Sequence, residues 1–571
     1  MNLKNNIKKN AAILAAVTLL SPAVFAQKLD VNKLQEELKA TVNKVLPASV
    51  FLIDYNPGPL VYSGYRASGV VVKDGMILTA GHATTIGKKY RVIFPDGKEC
   101  IATGVGKISD VDAGVLKIDE KGDWPFVEMG SSSSLSLYQP CFSIAYPGGF
   151  RPKEAILRFG HVAEMGSEKT KGKIRTTCLM EPGDSGGPVF DLDGRVVGIR
   201  SSILLALENN FEIPVDAYRT YWTALQKEKA YEVSPYAEKN ELEPVAPLKS
   251  AIKNVAGLEK SLNGLEAKLD DYSVKITSSI SGTQSSVLGT VIATKGLSGS
   301  LQKVKGLVVS KNSMVGDSAM ITLASGKSLA AKVLVRDEEK DLVLLQLNNE
   351  FKKGVNISDI SQDTLSLAQL GDFLLSPSPD DDGEMSLIGS RQFNLGRTYN
   401  NPAFLGVGFE KIDGKVVIRS LVPSAPAEAA KLMKGDEIVS VNNVKITEPT
   451  QFTTALRDKK PNDIIILVTV RDGVENAISI KLGKRPAVER RPHIAERFTD
   501  GKSERRDGFK NIFVHDGKIK PAECGGPLFD LNEKFIGMNL ARYSRTSSIA
   551  VVALELKRFI EANSNVLVAK S

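Results

Sequence analysis

The sequence predicts a mainly β chain of several domains, in which one domain-sized pattern occurs twice and the second copy is interrupted by a smaller module. Three observations carry this. At 571 residues the chain is too long for a single hydrophobic core. Its apolar residues fall in short β-branched runs broken by Gly, Asn and Asp, as in "SGVVVKDGMILTAGHAT" (68–84) and "GLVVSKNSMV" (306–315). Finally, "PGDSGGPVFDLDGRVVGI" (182–199) aligns without a gap on "PAECGGPLFDLNEKFIGM" (521–538), a self-similarity at domain scale. With 42% hydrophobic and 25% charged residues, the composition excludes a collagen-like or strongly disordered chain.

The first element lies outside the fold. "MNLKNNIKKN" is basic, "AAILAAVTLL" is apolar, and "SPAVFA" ends in a small residue at Ala26, which is the pattern of an export signal over 1–26 cut before Gln27. No other stretch is apolar enough to cross a membrane, so the expected mature protein is periplasmic or secreted, with no membrane span. Three of the lysines behind the formal charge of +8 lie in this leader. Stretch 484–510 is rich in Arg and Lys, but acids interrupt it throughout; a solvated loop is expected there rather than a nucleic-acid patch. The cysteines, Cys100, Cys141, Cys178 and Cys524, show no metal-ligand spacing, and four scattered histidines give a metal site no support. No metal and no cofactor is expected. Export permits a disulfide, and Cys141–Cys178 is one pairing.

An entry helix follows, with Leu34, Leu38, Val42 and Val45 at helical spacing. Then come three pieces in order: "TAGH" ending at His82, "SDVDAGVLKID" with Asp110 and Asp112, and "PGDSGGPVFDL" with Ser185. A serine hydroxyl is a poor nucleophile near neutral pH and needs an adjacent base. A histidine suits that task, and a carboxylate fixes its tautomer and stabilises the imidazolium. Glycines around the serine let the backbone approach a substrate and leave N–H groups for a developing oxyanion.

On these three motifs the first copy resembles the trypsin-like proteases, and among them the HtrA/Deg family of exported serine endopeptidases. The resemblance implies a double β-barrel over 33–228. It also implies His82 as general base, Asp112 as its orienter, Ser185 as nucleophile, and the N–H groups of Gly183 and Ser185 as the oxyanion hole. Asp112 is preferred to Asp110 because it directly abuts "AGVLKI". Unfolded or misfolded proteins and peptides are the substrates the family implies.

Residues 229–271 read as a polar linker and then an amphipathic helix carrying Ile252, Val255, Leu258, Leu262, Leu265 and Leu269. The second copy spans 272–395 plus 486–571. Aligning "GLVVSKNSMV" on "MILTAGHATT" (76–85) sets Asn312 opposite His82, and "DEEKDLVLLQL" sets Asp341 opposite Asp112. Cys524, Glu523 and Ala522 replace Ser185, Asp184 and Gly183. Asparagine cannot take a proton, and His515 has no evident reach to Cys524. The copy is expected to be a pseudoprotease whose thiol is silent.

The acid and the nucleophile lie 73 residues apart in the first copy and 183 in the second, which therefore carries about 110 more. "AFLGVGF", "SAPAEAAKLMKGDEIVSVNN" and "EPTQFTTALRD" within that insert resemble a PDZ domain, set at 396–485. The resemblance implies that Phe404, Leu405, Gly406 and Val407 form a loop gripping peptide C-termini while the peptide extends the sheet. The fold class is thus two trypsin-like double β-barrels, the second interrupted by a PDZ domain. In the family a PDZ usually follows the protease directly and the protease trimerises; this arrangement leaves a homo-oligomer as an option only. A peptide-binding or chaperone-like scaffold without proteolysis is the alternative function.

Overall fold

The computed structural model describes residues 29–565 apart from 58–65, 151–152, 240–241, 324–325, 363–368, 380–382, 398–402, 457–458, 460, 485–492 and 499. The leader read at 1–26 lies outside the described residues.

Helix Val31–Val45 opens the fold, capped by Asp30, whose carboxylate accepts from Lys33 N at 3.0 Å. Its Leu34, Leu38, Val42 and Val45 are buried, and Thr41 Oγ1 donates to Leu192 O at 2.7 Å. The first sheet runs, in spatial order, Lys229–Tyr231, Glu99–Ile108, Lys89–Ile93, Ser49–Asp54, Arg66–Val72, Met76–Ala80 and Ala113–Ile118. The last of these pairs back onto Glu99–Ile108 and closes the sheet into a barrel. Glu99–Ile108 alternates exposed or half-buried with buried positions, the period-2 pattern of a strand facing one core. A second closed barrel is built from Pro140–Ala145, Ile156–Glu164, Ile174–Thr176, Pro188–Phe190, Val196–Ile203 and Asn210–Pro214.

The same plan recurs downstream. Six strands from Ser273–Ile280 to Leu342–Leu347 close a barrel, followed by a seven-stranded sheet that includes Pro527–Asp530, Phe535–Arg542 and Ser548–Val552. Between its strands Phe393–Leu395 and Phe509–His515 the chain leaves to build a separate six-stranded sheet with helices Pro426–Ala429 and Pro449–Leu456, the PDZ domain. That insert packs around its own core of Leu405, Val416, Ile438, Phe452, Ile465 and Leu467.

The helix expected across 252–269 is shorter than its apolar pattern and covers Leu258–Glu266. Ile252 and Val255 are buried, yet they lie before the helix. Val255 N instead donates to Tyr138 O at 2.9 Å, tying the segment to the first copy as a strap.

The two copies share one hydrophobic core. Leu157 N donates to Gly389 O at 2.7 Å, Phe159 N to Asp516 Oδ2 at 3.0 Å, and Lys39 pairs with Asp372 at 2.7 Å. Phe159 meets Phe373 edge-on with ring centroids 5.2 Å apart. Together these contacts put the second copy directly against strand Ile156–Glu164 and the entry helix of the first.

Candidate active site

His82 sits in a single turn, Gly81–Ala83, at the end of strand Met76–Ala80. Asp112 precedes strand Ala113–Ile118 with φ of 60°, a left-handed conformation uncommon for a side chain that is not glycine. That conformation aims the carboxylate at His82. Both of its oxygens lie 3.0 Å from His82 Nδ1, and Oδ1 also accepts from His82 N at 2.9 Å. With Nδ1 committed to Asp112, Nε2 is the nitrogen left to act as a base. Burial works against the charged form of Asp112, but the hydrogen bonds from His82 and Ser201 outweigh it and hold the carboxyl below its ordinary range. Asp110 faces elsewhere, accepting from Ser234 N and Oγ at 2.8 and 2.9 Å.

Ser185 is presented by a loop that packs directly on the histidine's strand. Ser68 N donates to Ser185 O at 2.8 Å, and a Cβ on Gly186 would fall 3.0 Å from Ala80 N. Pro182 O accepts from Gly148 N at 2.8 Å, which turns the Gly183 N–H of the same trans peptide the opposite way. Among the described residues, neither the Gly183 nor the Ser185 amide donates to a protein group. Behind them, fully buried Asp184 pairs with fully buried Arg158 at 2.5 Å and accepts from Glu181 N at 2.8 Å.

Two polar neighbours escaped the sequence reading. Ser201 Oγ donates to Asp112 Oδ2 at 2.5 Å, and Lys173 Nζ donates to Ser201 Oγ at 2.7 Å. Burial draws the Lys173 ammonium below its ordinary range, while the Asp112 charge opposes that shift. The available signal for Ser201 was its place right after "VVGIR", on the strand that follows the nucleophile loop.

The second copy keeps the scaffold of this site and loses its chemistry. Leu288 N donates to Cys524 O at 3.0 Å, as Ser68 N does to Ser185 O. Gly525 N donates to Asn539 O as Gly186 N does to Arg200 O, and the return bonds run from Asn539 N to Gly526 O and from Arg200 N to Gly187 O. Asp341 keeps the left-handed backbone, with φ of 59°. One expectation is corrected here. Asn312 N bonds Asp341 O as Gly81 N bonds Asp112 O, and Ser313 N bonds Asp341 Oδ1 at 2.7 Å as His82 N bonds Asp112 Oδ1. The residue in the histidine position is therefore Ser313, not Asn312. The strand register agrees, since Ala80 pairs with Ala113 while Lys311 pairs with Leu342. Ser201 is replaced by Leu540, at the same bulge before the next strand.

Cys524 is fully buried, and burial raises its thiol even though Lys311 pulls the other way. The basic stretch expected as a solvated loop supplies its cover. Ser503 is buried, contacts Cys524 Sγ at 3.6 Å, and exchanges hydrogen bonds of 2.9 Å with Arg542. The chain thus fills its own second cleft. Cys141 and Cys178 are buried thiols with sulfurs 4.0 Å apart.

In the PDZ domain, Phe404 ends strand Ala403–Phe404, Leu405 is buried, and Val407 starts strand Val407–Ile412 at the edge of its sheet. Gly406 has φ of 85°, and a Cβ there would lie 2.1 Å from that of Ala425, so only glycine fits. Among the described residues the Leu405 and Gly406 amides donate to no protein group. Groups of His, Cys, Asp and Glu that could hold a metal are absent among the described residues. No helix among them is long and apolar enough to cross a membrane.

Comparison with known proteins finds the same two domain types in the chain. Residues 67–199 match the trypsin-like peptidase domain family, and 403–482 match the PDZ domain family. A probable periplasmic serine endoprotease DegP-like of Hahella chejuensis is 34% identical over 167 residues, 28% of this chain and about a third (35%) of that protein. The protein of the same description from Pseudomonas fulva is 26% identical over 443 residues, 73% of this chain and 78% of the relative. A solved serine endoprotease from Yersinia pestis is 13% identical, covering 79% of this chain and 97% of that one, with a TM-score of 0.29.

Proposed function

We propose that this chain, a trypsin-like serine endopeptidase of HtrA type carrying a PDZ domain, is exported and cleaves unfolded proteins at a single site in its first copy. The observation that carries the reading is the His82 ring clamped on Asp112 beside a serine loop whose Gly183 and Ser185 amides donate to no acceptor among the described residues.

In the first step His82 Nε2 takes the proton of Ser185 Oγ as the oxygen attacks the substrate carbonyl carbon. The carbonyl oxygen becomes an oxyanion that accepts from Gly183 N–H and Ser185 N–H, each donor lowering the barrier by about 3–4 kcal/mol. The imidazolium is stabilised by Asp112 and gives its proton to the leaving amine, leaving an acyl-enzyme. Water, deprotonated by the same histidine, then attacks the ester carbon, and the imidazolium returns that proton to Ser185 Oγ as the acid leaves.

The substrate backbone lies along Ser202–Ile203. Internal comparison supports this, because the equivalent edge of the second copy, at Arg542, is occupied by the chain's own Ser503. The PDZ edge strand Val407–Ile412 receives peptide C-termini, with the Leu405 and Gly406 amides facing the carboxylate.

Labelling with a fluorophosphonate probe tests the enzymatic reading. Modification of Ser185 that is lost in Ser185→Ala is expected. A folded protein that neither labels nor cleaves casein would instead be a non-proteolytic scaffold.

A further inference from the structure

One turn of the second copy, Tyr543–Thr546, touches three segments of the first copy near its serine loop. Ser544 Oγ and Thr546 Oγ1 both donate to Glu181 Oε1, at 2.9 and 2.7 Å. Arg545, fully buried, donates to Leu205 O at 2.9 Å and Ala206 O at 2.6 Å. Tyr543 OH donates to Gly149 O at 2.6 Å, and its ring stacks on Phe150 with centroids 4.4 Å apart.

These three targets share a purpose. Glu181 lies two residues before Gly183, and its backbone closes the turn that presents Gly183, Asp184 and Ser185. Its N–H donates to Asp184 Oδ2 at 2.8 Å, and its carbonyl accepts from Asp184 N at 3.1 Å. Gly149 follows Gly148, whose N–H holds the Pro182 carbonyl and so sets the direction of the Gly183 amide. Leu205 and Ala206 follow Ile203 at the end of the strand that carries Ser201. Every group the turn grips is therefore one or two residues from a group that fixes the oxyanion donors, or close to the strand that orients Asp112.

The carboxylate of Glu181 also needs this turn. Among the described residues of the first copy its charge is met only by Arg158, at 3.7 Å, which Asp184 already engages at 2.5 Å. A buried carboxylate without enough donors is costly, and a chain lacking the second copy would have to expose it and rearrange the loop.

We infer that Ser544, Arg545 and Thr546 are positioning residues for the first active site: the degenerate copy is kept because its turn holds the oxyanion loop in working geometry. The inference deepens the proposed function and rests on Ser185 being the nucleophile. Misplacing an oxyanion donor costs about a hundredfold in rate, so a partly loosened loop should cost about tenfold or more.

The test uses the full-length mature chain carrying Ser544→Ala with Thr546→Val, which removes both hydroxyls at little change in volume, beside single Thr546→Val and Thr546→Ser. Two readouts are taken: steady-state hydrolysis of a peptide substrate, and amide hydrogen exchange over 179–186. The double variant is expected to lose at least about tenfold in kcat with KM changed less than about threefold, and to exchange faster over 179–186. Thr546→Ser, which retains a hydroxyl, should restore both. A folded double variant with parental kcat overturns the inference, whatever its exchange. Should the double variant fail to fold, Thr546→Val against Thr546→Ser decides by the same criteria. A parent without Ser185-dependent turnover overturns the proposed function instead, and unchanged exchange over 179–186 in the variants would then overturn the clamp as well.

Discussion

At the residue scale, Lys173 shows how the site is tuned beyond its three recognisable members. Its ammonium donates to Ser201, which leaves the Ser201 hydroxyl hydrogen for Asp112. Replacing it with methionine removes a charge-assisted bond worth about 1–2 kcal/mol, so kcat/KM should fall about five- to thirtyfold in a peptide assay, with less effect in Lys173→Arg. An unchanged rate in Lys173→Met would remove it from the account. Cys524 makes the opposite case. It occupies the nucleophile's place, but burial keeps its thiol protonated and Ser503 covers it. The native protein should resist iodoacetamide at Cys524 near neutral pH, as read by mass spectrometry, and Cys524→Ala should keep full activity. Asp112 was legible because it abuts a strand that runs into the core. Lys173 and Ser201 were not, since each becomes a neighbour only when separate strands meet across the cleft.

At the element scale, the duplication and the insert could be read from sequence, whereas one register could not. Strand Gly306–Lys311 runs one residue further than Met76–Ala80 before its turn begins, and a gapless alignment cannot see that extra residue. It therefore set Asn312, rather than Ser313, opposite His82. The linker pattern misled for a related reason. Ile252 and Val255 are apolar because the extended strap lies against the first copy, and burial at that spacing does not require a helix. The entry helix was read correctly because Leu34, Leu38, Val42 and Val45 recur at helical spacing, and the helix buries all four. Leu38 is fully buried in that helix, so Leu38→Ala should cost about 2–5 kcal/mol in urea unfolding; a loss under about 1 kcal/mol would mean the helix is peripheral to the core. In the PDZ domain, Gly406→Val should abolish binding of C-terminal peptides, measured by fluorescence anisotropy, while leaving casein-independent peptide hydrolysis at Ser185 within about twofold.

At the scale of the whole molecule, the shared core makes the two copies one structure and couples their stability. His515, fully buried in the second copy, has its imidazole lowered by burial to about 3. The folded state leaves this ring neutral, while the unfolded chain takes up a proton below the ordinary histidine value of 6.5. Stability is therefore lost as pH falls from 6.5 toward 3. His515→Gln should show a shallower loss of unfolding free energy than the parent between about pH 7 and 4; parallel profiles would contradict this assignment. Residues 27–230 made alone should be a poor enzyme, since Glu181 and the carbonyls of Leu205 and Ala206 would lose partners that only the second copy supplies.

The central claim is that one serine works and its duplicated counterpart does not. Hydrolysis of unfolded casein by the mature parent, Ser185→Ala and Cys524→Ala tests it directly. The account predicts turnover by the parent and by Cys524→Ala, and none by Ser185→Ala. Loss of turnover in a folded Cys524→Ala, or its survival in Ser185→Ala, would contradict it.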